Sequence, residues 1–321
     1  MKRTLSMFSV LILLAAVVAT LNSGNVMAAG GGGYVISPVR EIITVSKGTS
    51  QTVDLSIQNP TAGVQYASMV VNDFEASTNE SGQPQILLNG QKSPINSFQD
   101  LVSKNLPSIT IQPKQTLQIP IKITVPKNAE AGGYYGVIRV INGSSTSNTN
   151  IALAASVGTI FLVTVPGKLT ENLQLIQFTA AKNGDPGRVF INSGPMSIIT
   201  RLENTGNIHV APFGTVNITD SHGKIVESYK FNVAQGDILP NSIRKFIDPL
   251  ANTKWQGKYK ISAYIGYGTT GSLITTQNTF WIIPAWFVIS AIVIILILLI
   301  LGFVIFRKIT SNRKHKVRAR F

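Results

Sequence analysis

Two carboxylates one residue apart, Asp73 and Glu75, are the first chemistry this sequence offers. They stand in an apolar-rich run that reads as a strand, so their side chains point to the same face. There they could hold a cation or a sugar. The plain alternative is two solvated acids at a strand end, since calcium usually needs about six or more oxygen ligands. His209 and His222 flank one expected strand and lack a nearby Ser-x-Gly elbow, which leaves a surface pair. The glycines at 30–33 are not followed by Lys-Ser/Thr, and no Gly-x-Gly-x-x-Gly spacing occurs. With no cysteine there is no thiolate ligand, no cysteine nucleophile and no disulfide. The expectation is a protein that is not an enzyme, with no cofactor and no metal.

Aromatic residues offer binding chemistry instead. Tyr134 and Tyr135 are adjacent, so a strand must turn them to opposite faces. Tyr134, entering after Gly132-Gly133, suits a tyrosine corner, in which the hydroxyl bonds back to nearby backbone; Tyr259, after Gly257, suits a second one. Tyr135 is then a ligand contact or is partly covered by a neighbouring loop. Tyr264 alternates with inward residues and is expected to face out, where it could touch a ligand.

The elements that must position these residues are strands. Leu117, Ile119, Ile121 and Ile123 alternate with Gln118, Pro120, Lys122 and Thr124. Val53, Leu55 and Ile57 do the same, as do Tyr259, Ile261, Ala263, Ile265 and Tyr267. This period of two is that of half-buried strands. Turn residues such as Asn89-Gly90, Asn142-Gly143 and Asn204-Thr205-Gly206-Asn207 separate the runs. Charged residues make up 13% of the chain, which suits polar-faced sheets better than helices.

A pattern repeats along the chain. Asn59 after a strand, then Ile111-Gln112-Pro113, then Gly132-Gly133-Tyr134, is echoed by Asn204, Ile238-Leu239-Pro240 and Gly257-Lys258-Tyr259. The expectation is all-β: two tandem immunoglobulin-like sandwiches over 34–165 and 166–282. The first carries a polar, turn-rich insertion at about 76–107, with one short helix near 96–103. Long loops on such scaffolds commonly carry function, so the insertion is the expected contact element.

The net charge of +14 invites a nucleic-acid reading, but its distribution argues against one. Nine of the 28 basic residues lie in the first 28 and last 15 positions, leaving 19 against 14 acids between. Lys2 and Arg3 precede an apolar run ending near Val18, and Val26-Met27-Ala28 offers a cleavage site. Residues 1–28 therefore read as a signal peptide, or as an uncleaved anchor, and 29–33 as a Gly-rich linker. Residues 285–306 carry no charge and, at roughly 33 Å as a helix, could cross a bilayer. Trp281 and Trp286 suit one interface, while Arg307 and Lys308 open a basic tail, 307–321, that suits the cytoplasmic side. The expected product is a single-pass type I membrane protein. Its cysteine-free exterior fits a bacterial envelope.

The segment Val125-Pro126-Lys127-Asn128-Ala129-Glu130-Ala131-Gly132-Gly133-Tyr134-Tyr135-Gly136 resembles the VP-x-x-A-x-x-G-x-Y-x-G signature of the WxL-interacting protein family of bacterial surface proteins. Asn204-Thr205-Gly206-Asn207, Pro212-x-Gly214, Leu239-Pro240-x-Ser242-x-Arg244 and Gly257-x-Tyr259 resemble that family too. The resemblance spans nearly the whole chain. It implies a first domain that binds peptidoglycan and a second that binds partner or host proteins. The expected function is therefore a membrane-anchored envelope protein that binds a cell-wall polymer or another surface protein. The alternative is a purely structural spacer or an accessory subunit of a membrane complex.

Overall fold

The computed structural model describes residues 33–103, 105–143, 156–251 and 255–318. The expected signal peptide, 1–28, and the glycines up to 32 lie outside the described residues. The described chain is mostly β-sheet, with one apolar helix at its C-terminal end.

The first half builds two sheets. One has the order β1 (Val35–Ser37), β3 (Ser50–Gln58), β7 (Thr116–Thr124). The other runs β2 (Arg40–Thr44), β9 (Val157–Val165), β8 (Gly132–Asn142), β4 (Gln65–Ala76), β5 (Pro84–Ile86), with β6 (Ile109–Ile111) pairing to β4. The second half repeats the plan. One sheet runs β11 (Asp185–Gly187), β10 (Leu173–Lys182), β13 (Met196–Asn204), β16 (Ser242–Pro249). The other runs β12 (Val189–Ile191), β18 (Ser272–Ile283), β17 (Gly257–Tyr267), β14 (Phe213–Thr219), β15 (Ile225–Phe231). In each half a short early strand pairs parallel to the last strand, β2 to β9 and β12 to β18. The other pairings quoted in these sheets are antiparallel.

The period-two runs bury as the alternation requires. Val53, Leu55 and Ile57 point into the first core with Ile121 and Ile123, while Leu117 and Ile119 are only half-buried towards the start of β7. Ile261, Ala263, Ile265 and Tyr267 point into the second core.

The sequence repeat has a physical cause in two buried asparagines. Asn59 donates from Nδ2 to the carbonyls of Gly63 (2.7 Å) and Ile111 (3.0 Å), and its Oδ1 accepts from the Thr61 N–H (2.9 Å). Asn204 donates to the carbonyls of Ile208 and Ile238, both at 2.8 Å, and accepts from the Gly206 N–H (2.8 Å). Each amide thus clips the turn after its own strand to the Ile-x-Pro segment that precedes β7 or β16. A fully buried amide must satisfy its donors and acceptor locally, and these do.

The insertion at 76–107 is exposed over much of its length and packs into the first core at one end. Its helical part is only one 3₁₀ turn, Phe98–Asp100. Phe98 is fully buried and stacks on Phe161 at 5.3 Å, and Leu101 and Val102 join the same core. The end of the insertion from Ser97 to Val102 is therefore a plug, because these apolar side chains gain more from the first core than from solvent.

The helix α1 spans Ala285–Arg318, so its backbone carries the helix through the start of the basic tail. Its segment Ala285–Lys308 has a mean hydropathy of 3.5, is unburied, and is long and apolar enough to cross a membrane.

Candidate functional site

The Gly132-to-Gly136 segment, the turn after Asn204 and the insertion converge where the two halves meet. The Gly133 N–H donates to the Asn207 carbonyl at 2.9 Å, and Asn207 Nδ2 reaches the carbonyls of Lys168 (2.9 Å) and Ala131 (3.4 Å). The His209 N–H donates to Tyr135 Oη at 2.8 Å, and the two rings meet edge-on at 5.7 Å. A side chain at Gly133 would overlap the Tyr135 hydroxyl, and one at Gly136 would overlap the Phe98 ring. Gly132 holds φ +144 with the Asn207 carbonyl 2.9 Å from where a Cβ would stand. The glycines of the motif are therefore spaces for two aromatic rings and for the facing chain.

Charges tie the same junction. Glu80, at the tip of the insertion, takes both oxygens to Arg201 of β13, with Arg201 Nε at 2.7 Å from Oε2. The Glu80 carbonyl also accepts the Lys245 N–H at 2.8 Å. The Arg201 hydrogen bonds hold the Glu80 carboxyl below its usual range. Arg40, at the start of β2, pairs with Asp237. Burial lowers the Arg40 and Arg244 guanidiniums from their usual value. His209 is pushed down to about 4, chiefly by burial and then by the Arg40 charge, so its ring is neutral here.

Between these ties lies a cleft. Two cavities of about 240 and 380 Å³ share Phe74, Ala76, Leu239 and Ser242 as a common wall. The smaller has an apolar floor of Ile160 and Leu162 beneath Arg40 and Arg244, with Asp237 as the acid. Arg244 donates to the Asp237 carbonyl at 2.8 Å and lies over the Phe246 ring at 5.2 Å. The larger is lined by Glu75, Glu130, Ile95, Tyr135 and Pro240. The cleft is thus basic at one end and acidic at the other, with apolar surface between. It can seat an apolar side chain while charged groups fix its orientation.

The residues expected from sequence fall in different places. Asp73 is a correction: it is 0% exposed, and its two oxygens accept the Ser93 N–H (2.8 Å) and the Gln99 N–H (2.9 Å). It anchors the insertion and is not free to contact a ligand, whereas Glu75 is half-buried at the rim of the larger cavity. Tyr135 follows the second of its two expected readings: it is buried with Phe74 and Leu162, its hydroxyl accepts the His209 N–H, and it lines the larger cavity. The Tyr134 hydroxyl donates to the Glu130 carbonyl (3.1 Å), and that of Tyr259 to the Gln256 carbonyl (2.8 Å), each a few residues upstream. Tyr264 is 51% exposed on β17, away from the cleft. Trp281 and Trp286 are exposed on either side of Pro284, and Arg307 and Lys308 lie at the far end of the apolar segment. Among the described residues no group of three or more His, Cys, Asp or Glu could hold a metal ion.

Sequence reasoning missed Arg40, Asp237, Arg244 and the Glu80–Arg201 pair. Apart from Arg244, each is a single charged residue in an unremarkable context. Asn207 and Arg244 stood in motifs already noted, Asn204-Thr205-Gly206-Asn207 and Leu239-Pro240-x-Ser242-x-Arg244, and neither motif by itself marks a contact between the two halves.

No family model matches the chain, and no curated protein matches it. Similar solved structures include the class 5 fimbrial chaperone CfaA, with 11% identity, 77% of this chain and 98% of that chain covered, and a TM-score of 0.39. The CsuC–CsuE chaperone–tip adhesin complex of Acinetobacter baumannii matches at 12% identity, with 78% and 98% covered and a TM-score of 0.35. The E. coli chaperone DraB matches at 15% identity, with 76% and 94% covered and a TM-score of 0.34. Superpositions at these scores assign no function to this chain.

Proposed function

We propose that this chain is a non-enzymatic, membrane-anchored envelope protein with two immunoglobulin-like sandwiches that hold another surface protein in the cleft between them. The cleft carries the reading: apolar walls at Phe74, Leu162 and Leu239 run between a basic and an acidic rim. An extended polypeptide offers both apolar side chains and charges to such a surface. The resemblance to the WxL-interacting proteins supports a surface-protein partner, and α1 supplies an anchor that is long and apolar enough. The segment expected to be the signal peptide would place the sandwiches outside the cell and the basic tail inside.

A cell-wall polymer is the second reading, favoured by Tyr264, whose exposed ring could stack on a sugar. Ala76 lies in the wall common to both cavities, so Ala76→Trp would fill the cleft and spare Tyr264. With full-length protein displayed on cells, A76W is expected to lose crosslinking to its surface-protein partner while wall-polymer sedimentation stays unchanged. Unaltered crosslinking by a folded A76W, together with polymer binding lost in Tyr264→Ala, would replace this reading by the polymer one.

A further inference from the structure

Outward residues along β18 change character towards the helix. Beyond Leu273, which is exposed at the far end of the strand, Thr275, Gln277 and Thr279 face outward and are polar, and then come Trp281 and Ile283. The parallel partner β12 aligns Val189 with Trp281 and Ile191 with Ile283. Between them Phe190 and Ile282 are buried, so the alternation leaves the four apolar residues on the outer face. Val189 is 59%, Ile191 50% and Trp281 45% exposed. On the other side of Trp281, Lys258 of β17 sits in register, with its ammonium 5.5 Å from the ring centre. Arg188, also exposed, precedes Val189 and accepts the Trp281 N–H at its carbonyl (2.7 Å).

This patch continues directly into the apolar helix. Only Pro284 separates β18 from α1. The Asn192 N–H donates to the Ile283 carbonyl (2.9 Å), and Asn192 Oδ1 accepts the Ala285 N–H (2.6 Å). The end of β12 therefore clamps the strand-to-helix junction, and the sheet is not hung on a free linker. Trp281 lies roughly 10 Å up the strand from Pro284, close to the reach of a headgroup layer that adds roughly 5–8 Å on each side of the hydrocarbon. An upright second sheet pair would hold these apolar side chains in water just above the membrane. A lean of the sheet pair brings them into the interface, where indole rings and cation-bearing stems are favoured.

We propose that the outer face of the β12–β18–β17 edge is a membrane-contact surface, with Val189, Ile191, Trp281 and Ile283 in the phospholipid interface and Lys258 at the phosphates. It rests on the reading of α1 as a membrane span. The occupant is a phospholipid surface because the patch runs without a linker into the apolar helix and the charge in register with Trp281, Lys258, is cationic.

Tryptophan emission tests this on the full chain reconstituted in phosphatidylcholine–phosphatidylglycerol vesicles, with and without brominated phosphatidylcholine. Trp255 is fully buried in the second core and gives a constant background. Trp286→Phe isolates Trp281, and Trp281→Phe isolates Trp286. The expected result is loss of W286F emission in brominated vesicles, protection of that emission from iodide, and reversal of both in Val189→Glu/Ile191→Glu. Quenching of Trp286 by bromine while Trp281 is reached only by iodide overturns the contact surface and leaves the anchor standing. Quenching of neither overturns the anchor and the surface with it. Protection of Trp281 from both quenchers shows a protein covering the patch and overturns the lipid assignment.

Discussion

At the scale of single residues, the buried asparagines give the sharpest expectation. Asn204 Nδ2 satisfies two carbonyls and its Oδ1 one N–H, all within a fully buried site. Asn204→Ala removes the side chain and strands those three backbone groups. Each stranded group costs about 1–3 kcal/mol when water cannot replace the bond, and partial wetting of the turn offsets some of this. A net loss of about 3 kcal/mol is expected, read as a lower midpoint in chemical unfolding of the second sheet pair, with Asn59→Ala acting likewise on the first. Asn204→Asp should recover only part of the loss, since it keeps the acceptor towards Gly206 but not the two donors. These asparagines were visible in the sequence as repeated turn markers. Their burial was not, because the carbonyls they serve lie 34 and 52 residues away and a turn signal describes only its own neighbours.

At the scale of elements, the strands and their inward faces were legible wherever one face is buried and the other wet. β3 and β17 follow the alternation residue by residue, because a half-buried strand must separate the two classes of side chain. The repeat of landmarks predicted two units, and the two halves do share a sheet order. The buried end of the insertion was not legible, because polar composition hid its three apolar anchors, Phe98, Leu101 and Val102. Gly136 tests the role of that end. A methyl group there would stand 2.0 Å from the Phe98 ring, so the ring must move. Gly136→Ala is expected to cost about 2 kcal/mol and to raise hydrogen exchange through residues 93–103, with little change at β13 or β17. Uniform destabilisation of both halves would show instead that Gly136 acts on the strand and not on the plug.

At the scale of the whole molecule, the two halves are tied by residues far apart in sequence. Arg40 and Asp237 are separated by 197 positions, and Glu80 and Arg201 by 121. No local pattern marks such pairs, which is why the cleft was not legible while its walls were. Titration should expose the junction. His209 sits at about 4 in the fold against 6.5 ordinarily, with burial and then the Arg40 charge lowering it and Glu171 opposing. A depressed value means that the folded state takes up the proton less readily than the unfolded chain. The contribution of His209 is thus complete above about 6.5 and is lost as pH falls through the window down to about 4. Asp248 runs the other way. Burial raises it from 3.8 to about 6, against a hydrogen bond from Tyr229. Its contribution is present below 3.8 and lost as pH rises through about 6. The two opposing slopes overlap, so wild-type melting temperature alone would understate both. His209→Gln keeps the backbone N–H that bonds Tyr135 and removes only the titrating ring. It should flatten the acid side of the melting profile and reduce the acid-induced rise in hydrogen exchange at Gly133 and Tyr135. Asp248→Asn should raise the melting temperature above about pH 6 and leave it unchanged below pH 3.8, where the wild-type group is already neutral. An H209Q profile as steep as wild type would move the acid sensitivity from His209 to another tie of the same junction, the Glu80–Arg201 pair, whose contribution is lost as pH falls below the ordinary carboxylate value.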